Sequence, residues 1–267
     1  MKPGPEYYPR VRDLPPHLYA SGWRWRRARG RHHWIGTDRS GRSWFVKMTG
    51  SECAHRERVF DLLAQNLGLS CQSCVYLTLP EEALPLVETQ VKEFYHRVER
   101  HQGAIAYIQA HDECLDSRCP LARISKHTPN ATEDSLALLK NSDIKSATDK
   151  FTGTVLGYLC AASEVGEVLV DVNHRLFLVD NEQMFYSVPS DPIEYVRSVT
   201  RNDKIPPLVK DLLTPMCEQL KAMTNDELDV LLETPDTYKR VARTRICRAL
   251  RRARRVAERL LRNLNRT

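Results

Sequence analysis

The sequence has no apolar run long enough to cross a membrane. The longest candidate, residues 152–170, is interrupted by Glu164 and Glu167, whereas a spanning helix needs about 20 mainly apolar residues. Residues 1–6 carry no apolar stretch of the kind found in secretory signals. We therefore expect a soluble, cytoplasmic protein. With 42% hydrophobic and 28% charged residues, the 267-residue chain has the composition of a globular protein, in one large domain or two lobes.

Cysteine is too sparse for a disulfide scaffold. Eight cysteines in a chain of this length, several of them in apolar or helical surroundings, are typical of reduced thiols. Cys71 with Cys74 and Cys114 with Cys119 could together supply four thiolates to a zinc ion. The second spacing is loose and forty residues separate the pairs, so reduced thiols are the favoured interpretation and zinc the alternative.

Charge is unevenly distributed along the chain, which carries a formal net charge of +6. Residues 1–47 contain 11 Lys/Arg against 3 Asp/Glu, and residues 234–267 contain 12 against 2, which leaves 17 against 29 for the body between them. Basic ends around an acidic body indicate an anionic partner, or association of the ends with the body.

Residues 17–50 alternate apolar and basic positions between spaced glycines, which predicts a small antiparallel meander with a tight turn at 38–41. The last strand of this meander contains Lys47 among apolar residues. Because lysine is rarely buried unless it is paired, Lys47 either faces solvent or is held by an anion.

Helical periodicity dominates the rest of the chain. Residues 51–68 follow a helical pattern with Glu57 near the middle and Gly68 as a suitable helix end. Residues 81–85 resemble a hinge. Beyond the hinge, mainly helical patterns cover 87–111, 133–141, 144–162, 190–200, 205–222 and 225–233.

Two short apolar runs, 168–170 and 176–179, meet at turn-forming residues and are bracketed by acidic residues. This pattern predicts a hairpin that brings Glu167 and Asp180 close together. Two neighbouring carboxylates repel each other unless a cation or a shared proton neutralises them, and a divalent metal is the usual solution. The hairpin is therefore a candidate metal site.

The final segment, 234–267, has the pattern of a long amphipathic helix with apolar residues on one face and arginines on the others. Two interpretations remain open. The helix docks its apolar face on the body and its arginines are solvated, or it is an arm that binds a nucleic acid or an acidic partner. Binding to a membrane surface is disfavoured because the segment lacks the aromatic residues of such helices.

The order of these elements resembles the protein-kinase-like fold, and most closely the HipA-like kinases. Phe-Val-Lys at 45–47, Arg-Glu at 56–57 and Leu-Gly-Leu at 67–69 stand where that family has a strand lysine, a glutamate-bearing helix and the end of that helix. The resemblance implies that Lys47 binds ATP phosphates and pairs with Glu57.

The hairpin carries the second part of the resemblance. Asp180 matches the metal-binding aspartate of HipA-like kinases, and Glu167 stands in place of their metal-binding asparagine. A carboxylate is a sound Mg²⁺ ligand, so the metal site is expected to survive. Ala162 stands in place of the catalytic aspartate, and an alanine cannot deprotonate a hydroxyl. Glu164 is the nearest substitute base.

We predict an α+β, two-lobed kinase-like fold with an N-terminal sheet lobe over 1–82, a helical lobe over 83–233 and a basic helix over 234–267. The predicted function is ATP- and Mg²⁺-dependent phosphoryl transfer to a hydroxyl, on a protein or peptide rather than a metabolite. Phosphoryl transfer relies mainly on positioning and charge, so a slow kinase can lack the usual base. The alternatives are a nucleotide-binding pseudokinase, a changed transfer such as nucleotidylation, and a module that binds nucleic acid or an acidic partner through its basic ends.

Overall fold

The structure, a computed structural model, describes residues 17–27, 33–41, 43–48, 51–69, 74–78, 104–108, 144–160, 167–170, 176–179, 184–185, 192–200, 207–232 and 241–266. The strands are β1 His17–Tyr19, β2 Arg24–Arg27, β3 His33–Thr37, β4 Ser43–Met48, β5 Cys74–Thr78, β6 Ala104–Ile108, β7 Glu167–Val170 and β8 Leu176–Val179. The helices are α1 Ser51–Asn66, α2 Ile144–Leu159, α3 Pro192–Thr200, α4 Pro207–Ala222, α5 Asn225–Leu231 and α6 Val241–Arg266.

Six strands form one mixed sheet in the order β1-β5-β6-β4-β3-β2. Strands β2, β3 and β4 pair antiparallel in chain order, which confirms most of the predicted meander. Strand β1 instead pairs in parallel with β5 at the opposite edge, so the prediction is wrong for 17–19. A three-residue strand has too little sequence pattern to specify its partner, and the edge of β5 satisfies its backbone groups.

The segment 104–108 also differs from its prediction. Helical periodicity was expected across 87–111, but Ala104–Ile108 is a strand that lies between β4 and β5. A five-residue apolar run fits a buried strand or a buried helix equally well. Antiparallel pairing on both edges decides in favour of the strand, because it satisfies backbone groups of β6 and of its two neighbours, β4 and β5.

The turn between β3 and β4 forms at 38–41, as predicted. The Gly41 amide donates to the Asp38 carbonyl at 3.0 Å, and Gly41 has a φ of 84°, which favours glycine. The Asp38 carboxylate accepts from the Ser40 amide at 2.9 Å and from the Trp44 indole nitrogen at 2.9 Å. The aspartate therefore fixes the turn and the first part of β4 together.

A tryptophan cluster covers one face of this sheet. The Trp23 ring stacks on Trp25 at 5.7 Å and on Trp44 at 5.8 Å between ring centroids. A Cβ atom built on Gly36, which pairs with both Trp25 and Trp44, would come within 2.6 Å of the Trp23 ring. Glycine at position 36 therefore gives the rings room to lie against the backbone.

The main hydrophobic core joins α1 to the helices that follow residue 144. Val59, Phe60 and Leu63 of α1 lie in one buried cluster with apolar residues of α2, α3, α4, α5 and α6. Helix α6 packs along α4 and also contacts α1 and α2. Its buried residues are those of the apolar face predicted from the sequence, Ile246, Leu250, Ala253, Ala257, Leu260, Leu261 and Leu264.

Helix α1 ends as its sequence predicts. The Leu69 amide donates to the Ala64 carbonyl at 2.9 Å and the Gly68 amide to the Gln65 carbonyl at 3.0 Å, with Gly68 at a φ of 78°. This pattern is the Schellman ending that glycine favours. The predicted helices over 144–162, 190–200, 205–222 and 225–233 are likewise present within a few residues of their expected limits.

Strands β7 and β8 form a separate two-stranded antiparallel hairpin, as predicted. Helix α2 contacts β8. Among the helices that the structure describes, none has the length and apolar character needed to cross a bilayer.

Candidate nucleotide and metal site

Lys47 lies in the middle of the six-stranded sheet. Its Cα atom is in register with His33 on β3 and with Ile105 on β6, and Ile105 is in turn in register with Tyr76 on β5. Positions in register across neighbouring strands belong to the same face of a sheet. Position 47 therefore shares a face with Tyr76, two strands and about 10 Å away.

Helix α1 covers that same face. It contacts β5 and β6, and the His55 Nδ1 atom forms a 2.7 Å hydrogen bond with the hydroxyl of Tyr76. The Arg58 guanidinium donates to the Cys74 carbonyl and lies over the Tyr76 ring, 5.4 Å from its centroid. His55 and Arg58 of α1 thus both contact Tyr76, the residue of β5 that shares a row with Lys47.

Glu57 lies between these two anchors in the α1 sequence. It is only 1% exposed and makes electrostatic contacts within the fold. Arg56 and Arg58 on either side of it are also buried. A carboxylate is tolerated in such a position only when cationic or hydrogen-bonding groups offset its loss of hydration.

A second buried carboxylate, Asp61, follows Glu57 by one helical turn. Burial raises the pKa of the neighbouring Cys74 thiol well above its usual range, and Asp61 raises it further, while Arg58 lowers it. Glu57 also raises that pKa. The carboxylates of Asp61 and Glu57 are therefore close to Cys74, the first residue of β5. Because its pKa is raised, the Cys74 thiol is protonated.

The predicted zinc site stays untested. Cys74 is a free, buried thiol, and Cys71, Cys114 and Cys119 lie outside the described residues. Among the described residues, Cys160, Cys217 and Cys247 are also free thiols.

The hairpin positions the metal-ligand candidates along the backbone. Glu167 is the first residue of β7 and is in register with Val179, the last residue of β8. Asp180 is the next residue after Val179, and it lies outside the described residues together with Ala162 and Glu164. Within the described ranges, no group of three or more potential metal-binding side chains occurs.

A second contact brackets the same region. The Phe185 amide donates to the Cys160 carbonyl at 2.8 Å. This bond joins the end of α2, shortly before Ala162 and Glu164, to the chain shortly after Asp180. Phe185 has a φ of 60°, an uncommon and strained value for an aromatic residue, and its side chain is buried. The described residues on either side of the two segments that carry Glu164 and Asp180 therefore pair with each other, Cys160 with Phe185 and Glu167 with Val179.

The sequence-predicted residues thus fall into two groups. Lys47 and Glu57 belong to one sheet face and the helix that covers it, and Glu167 belongs to the open end of the hairpin. Carboxylate oxygens such as that of Glu167 are the ligands that Mg²⁺ prefers, and a lysine on a central strand together with a buried glutamate on the helix that follows are residue types that suit a polyphosphate. The residue types present fit ATP and Mg²⁺.

Sequence reasoning missed the buried polar layer formed by His55, Arg58, Asp61 and Tyr76. Polar residues in a helix normally indicate a solvated face. The available signal was the density of charge at 55–58, directly before an apolar run. This charge indicates a buried polar layer only when the sheet is known to cover one face of α1 and the C-terminal helices the other.

Comparison with known proteins finds a similarity in the fold. No protein-family model and no curated protein sequence match the chain. The fold is similar to the crystal structure of CtkA, a proinflammatory kinase of Helicobacter pylori, with a TM-score of 0.53 and 10% sequence identity over 92% of this chain and 100% of the other. At this identity the likeness concerns the fold alone, and it supports the coarser of our predictions, which is that this chain has a kinase-like fold.

Proposed function

We propose that the protein is an ATP- and Mg²⁺-dependent phosphotransferase that acts on a hydroxyl group, on a protein or peptide. The observation that carries this proposal is the common row of Lys47, Ile105 and Tyr76, on the sheet face that α1 covers with its buried Glu57. A central strand lysine, followed at once by a helix with a buried glutamate, is the arrangement by which kinases hold nucleotide phosphates.

In this proposal Lys47 binds the phosphates and Glu57 holds the lysine in place. Glu167 and Asp180 are the ligands of Mg²⁺, which when bound neutralises charge on the transferring phosphoryl group. Glu164 is the base that accepts the proton of the substrate hydroxyl. Its contribution is expected to be modest, because a positioned base adds roughly 10²–10⁴-fold and the remaining acceleration comes from charge and positioning.

The test is the thermal shift of the full chain with ATP and Mg²⁺. A ligand at about 100 times its Kd stabilises the native state by roughly 2.7 kcal/mol, which corresponds to an increase in Tm of about 5–10 °C for a protein of this size. We expect this shift for the wild type, and its loss in Lys47→Ala. The matched control is Lys221→Ala on the exposed surface of α4, which should keep the full shift. Equal shifts in both variants would show that Lys47 does not bind the nucleotide.

Turnover of γ-labelled ATP separates the active kinase from the pseudokinase. Asp180→Asn should abolish both turnover and the Mg²⁺ dependence of the shift, and Glu164→Gln should lower turnover while it keeps the shift. The alanine at position 162 favours the pseudokinase as second candidate, since it removes the usual base. A nucleotide shift without any labelled product would support that candidate.

A further inference from the structure

The outer face of α6 carries a regular row of arginines, which we call the arginine stripe: Arg245, Arg248, Arg252, Arg255, Arg259 and Arg262. All six are exposed. Their spacing alternates between three and four residues, which keeps them on one face of a helix with 3.6 residues per turn. The stripe is about 26 Å long, because each residue adds about 1.5 Å along the helix.

The opposite face of α6 anchors the stripe to the protein. Ile246, Leu250, Ala253, Ala257 and Leu260 are fully buried, and the helix packs on α4 and α1. The stripe is therefore held straight by the core rather than carried on a mobile arm. The apolar side of α6 is also not available for insertion into a bilayer, since it already forms part of the main core.

The charge of the helix is almost entirely of one sign. Val241–Arg266 contains ten arginines, no lysine and one acidic residue, Glu258, which is half-buried on the flank. Arg254, outside the stripe, donates to the Asn225 side chain at 3.1 Å, which places the acidic start of α5 beside that flank. Glu227 in α5 is already engaged by Thr224. Like charges at this spacing repel, so an anionic partner would stabilise the helix.

We propose that the arginine stripe binds the phosphodiester backbone of a double-stranded nucleic acid. Guanidinium groups bind phosphate oxygens in bidentate pairs, and a duplex presents about one negative charge per 1.7 Å of its axis. A protein partner is disfavoured because protein interfaces rely on aromatic and apolar anchors, and the other residues of α6 that the structure describes as exposed are Thr244, Arg251 and Asn265. A single strand is disfavoured because its bases stack on aromatic side chains, and α6 has none.

The proposal predicts binding that is independent of sequence and steeply dependent on salt. The probe is a labelled 20-base-pair duplex, as DNA and as RNA, titrated with the full chain without ATP or Mg²⁺ and read by fluorescence anisotropy. If the stripe neutralises about four to six phosphates, the logarithm of the binding constant should fall with the logarithm of salt concentration with a slope of about −4 to −5. Equal binding of the DNA and RNA duplexes indicates recognition of the phosphodiester backbone alone. Tighter binding of one duplex indicates a further contact of the protein with the groove or the sugar of that duplex.

The variant that tests the stripe is the triple substitution Arg248→Gln, Arg252→Gln and Arg255→Gln. Arg245 and Arg259 are left intact because they also contact other groups of the chain. Loss of three phosphate contacts should reduce the magnitude of the salt slope by about three, which at 0.1 M salt corresponds to a loss in affinity of roughly 10²–10³-fold. The same three positions changed to lysine should keep the slope, since the charge is unchanged.

The control removes the same charge elsewhere, by Arg39→Gln, Lys210→Gln and Lys221→Gln, and should retain the wild-type slope. Equal binding by the stripe variant and this control refutes the proposal, as does a salt-independent affinity. Tighter binding to vesicles of anionic lipid or to poly-glutamate than to the duplexes also refutes it, and assigns the stripe to a membrane or an acidic protein. Lys47→Ala should bind the duplexes as the wild type does. The test of duplex binding is therefore independent of the test of nucleotide binding by thermal shift.

Discussion

The hydrogen bond between His55 and Tyr76 allows a direct test of the polar layer that joins α1 to the sheet. Tyr76 is fully buried and His55 is 1% exposed, and the two polar atoms are 2.7 Å apart. Tyr76→Phe removes only the hydroxyl. The ring remains beneath the Arg58 guanidinium, so the cation–π contact at 5.4 Å is retained.

The expected loss follows from burial. A net hydrogen bond contributes about 1 kcal/mol, and a buried polar atom deprived of a partner costs about 1–3 kcal/mol. We therefore expect Tyr76→Phe to lower the free energy of unfolding by about 1–3 kcal/mol, which corresponds to a decrease in Tm of roughly 2–10 °C. Urea denaturation should show a lower midpoint with an unchanged m-value.

Two further variants separate this bond from a general effect of the substitution. Tyr19→Phe removes a hydroxyl from a side chain that is 61% exposed, and should change stability by less than about 0.5 kcal/mol. A double-mutant cycle with His55→Leu should give a coupling energy of about 0.5–3 kcal/mol. A Tyr76→Phe variant as stable as the wild type, together with no coupling, would refute the idea that this pair holds α1 to the sheet.

Three other predictions concern the helical part of the molecule. Leu250→Ala leaves a cavity where α6 joins the core and should cost about 2–5 kcal/mol in urea denaturation, whereas a loss below 1 kcal/mol would mean that α6 is not part of that core. Burial raises the pKa of Cys160 above its usual range and that of Cys217 to about 12, so neither thiol should react with iodoacetamide at pH 8 until urea unfolds the chain, and labelled native peptides would contradict this. The Thr224 amide and hydroxyl hold the pKa of Glu227 below its usual value, so the stabilisation by its carboxylate is complete above the ordinary carboxyl pKa and is lost as the pH falls through the lowered one. The difference in urea midpoint between wild type and Glu227→Gln should therefore shrink in acid, and a difference that grows would contradict the assignment.

The elements that were predicted correctly are those whose pattern is strong over a short distance. Helix α6 repeats apolar residues through about five turns, from Ile246 to Leu264, and Gly41 and Gly68 mark a turn and a helix end that require positive φ values. The β7–β8 hairpin follows from two apolar runs with turn residues between them. Each of these depends on neighbours in the chain, which the sequence displays directly.

The elements that were missed depend on distant partners. Strand β6 is a strand because β4 and β5 lie on its two sides, about 30 or more positions away in the sequence. Strand β1 joins β5 rather than the β2–β4 meander that follows it. In each case the local pattern allows more than one pairing, and the choice is made by the backbone groups that remain to be satisfied.

The candidate site was predictable to different degrees at its two ends. The hairpin that carries Glu167 at its open end could be anticipated, because its register is fixed by its own sequence, while the assignment of Glu167 and Asp180 to a metal stays a prediction. The relation of Lys47 to Glu57 could not be obtained from spacing, since it depends on β6 and β5 extending the sheet beneath α1. The family resemblance supplied that relation as an expectation, and it stays a prediction; the common row of Lys47, Ile105 and Tyr76 shows only that position 47 belongs to the sheet face that α1 covers.

Helix α1 contacts both the six-stranded sheet and the helical core, and this affects how variants of the site should be interpreted. Through His55 and Arg58 it is bonded to β5, and through Val59 and Phe60 it is part of the helical core. Its last turn is also tied to α4, because the Gln219 side chain donates to the Asn66 carbonyl at 2.7 Å. A displacement of α1 would break polar contacts with the sheet and expose apolar surface of the helical core, so the helix is expected to move only together with both.

The position of Glu57 relative to β4, the strand of Lys47, is therefore set partly by the C-terminal helices. A core substitution in α6 that weakens nucleotide binding would act by shifting α1, and only substitutions at the sheet face and the hairpin test the site itself.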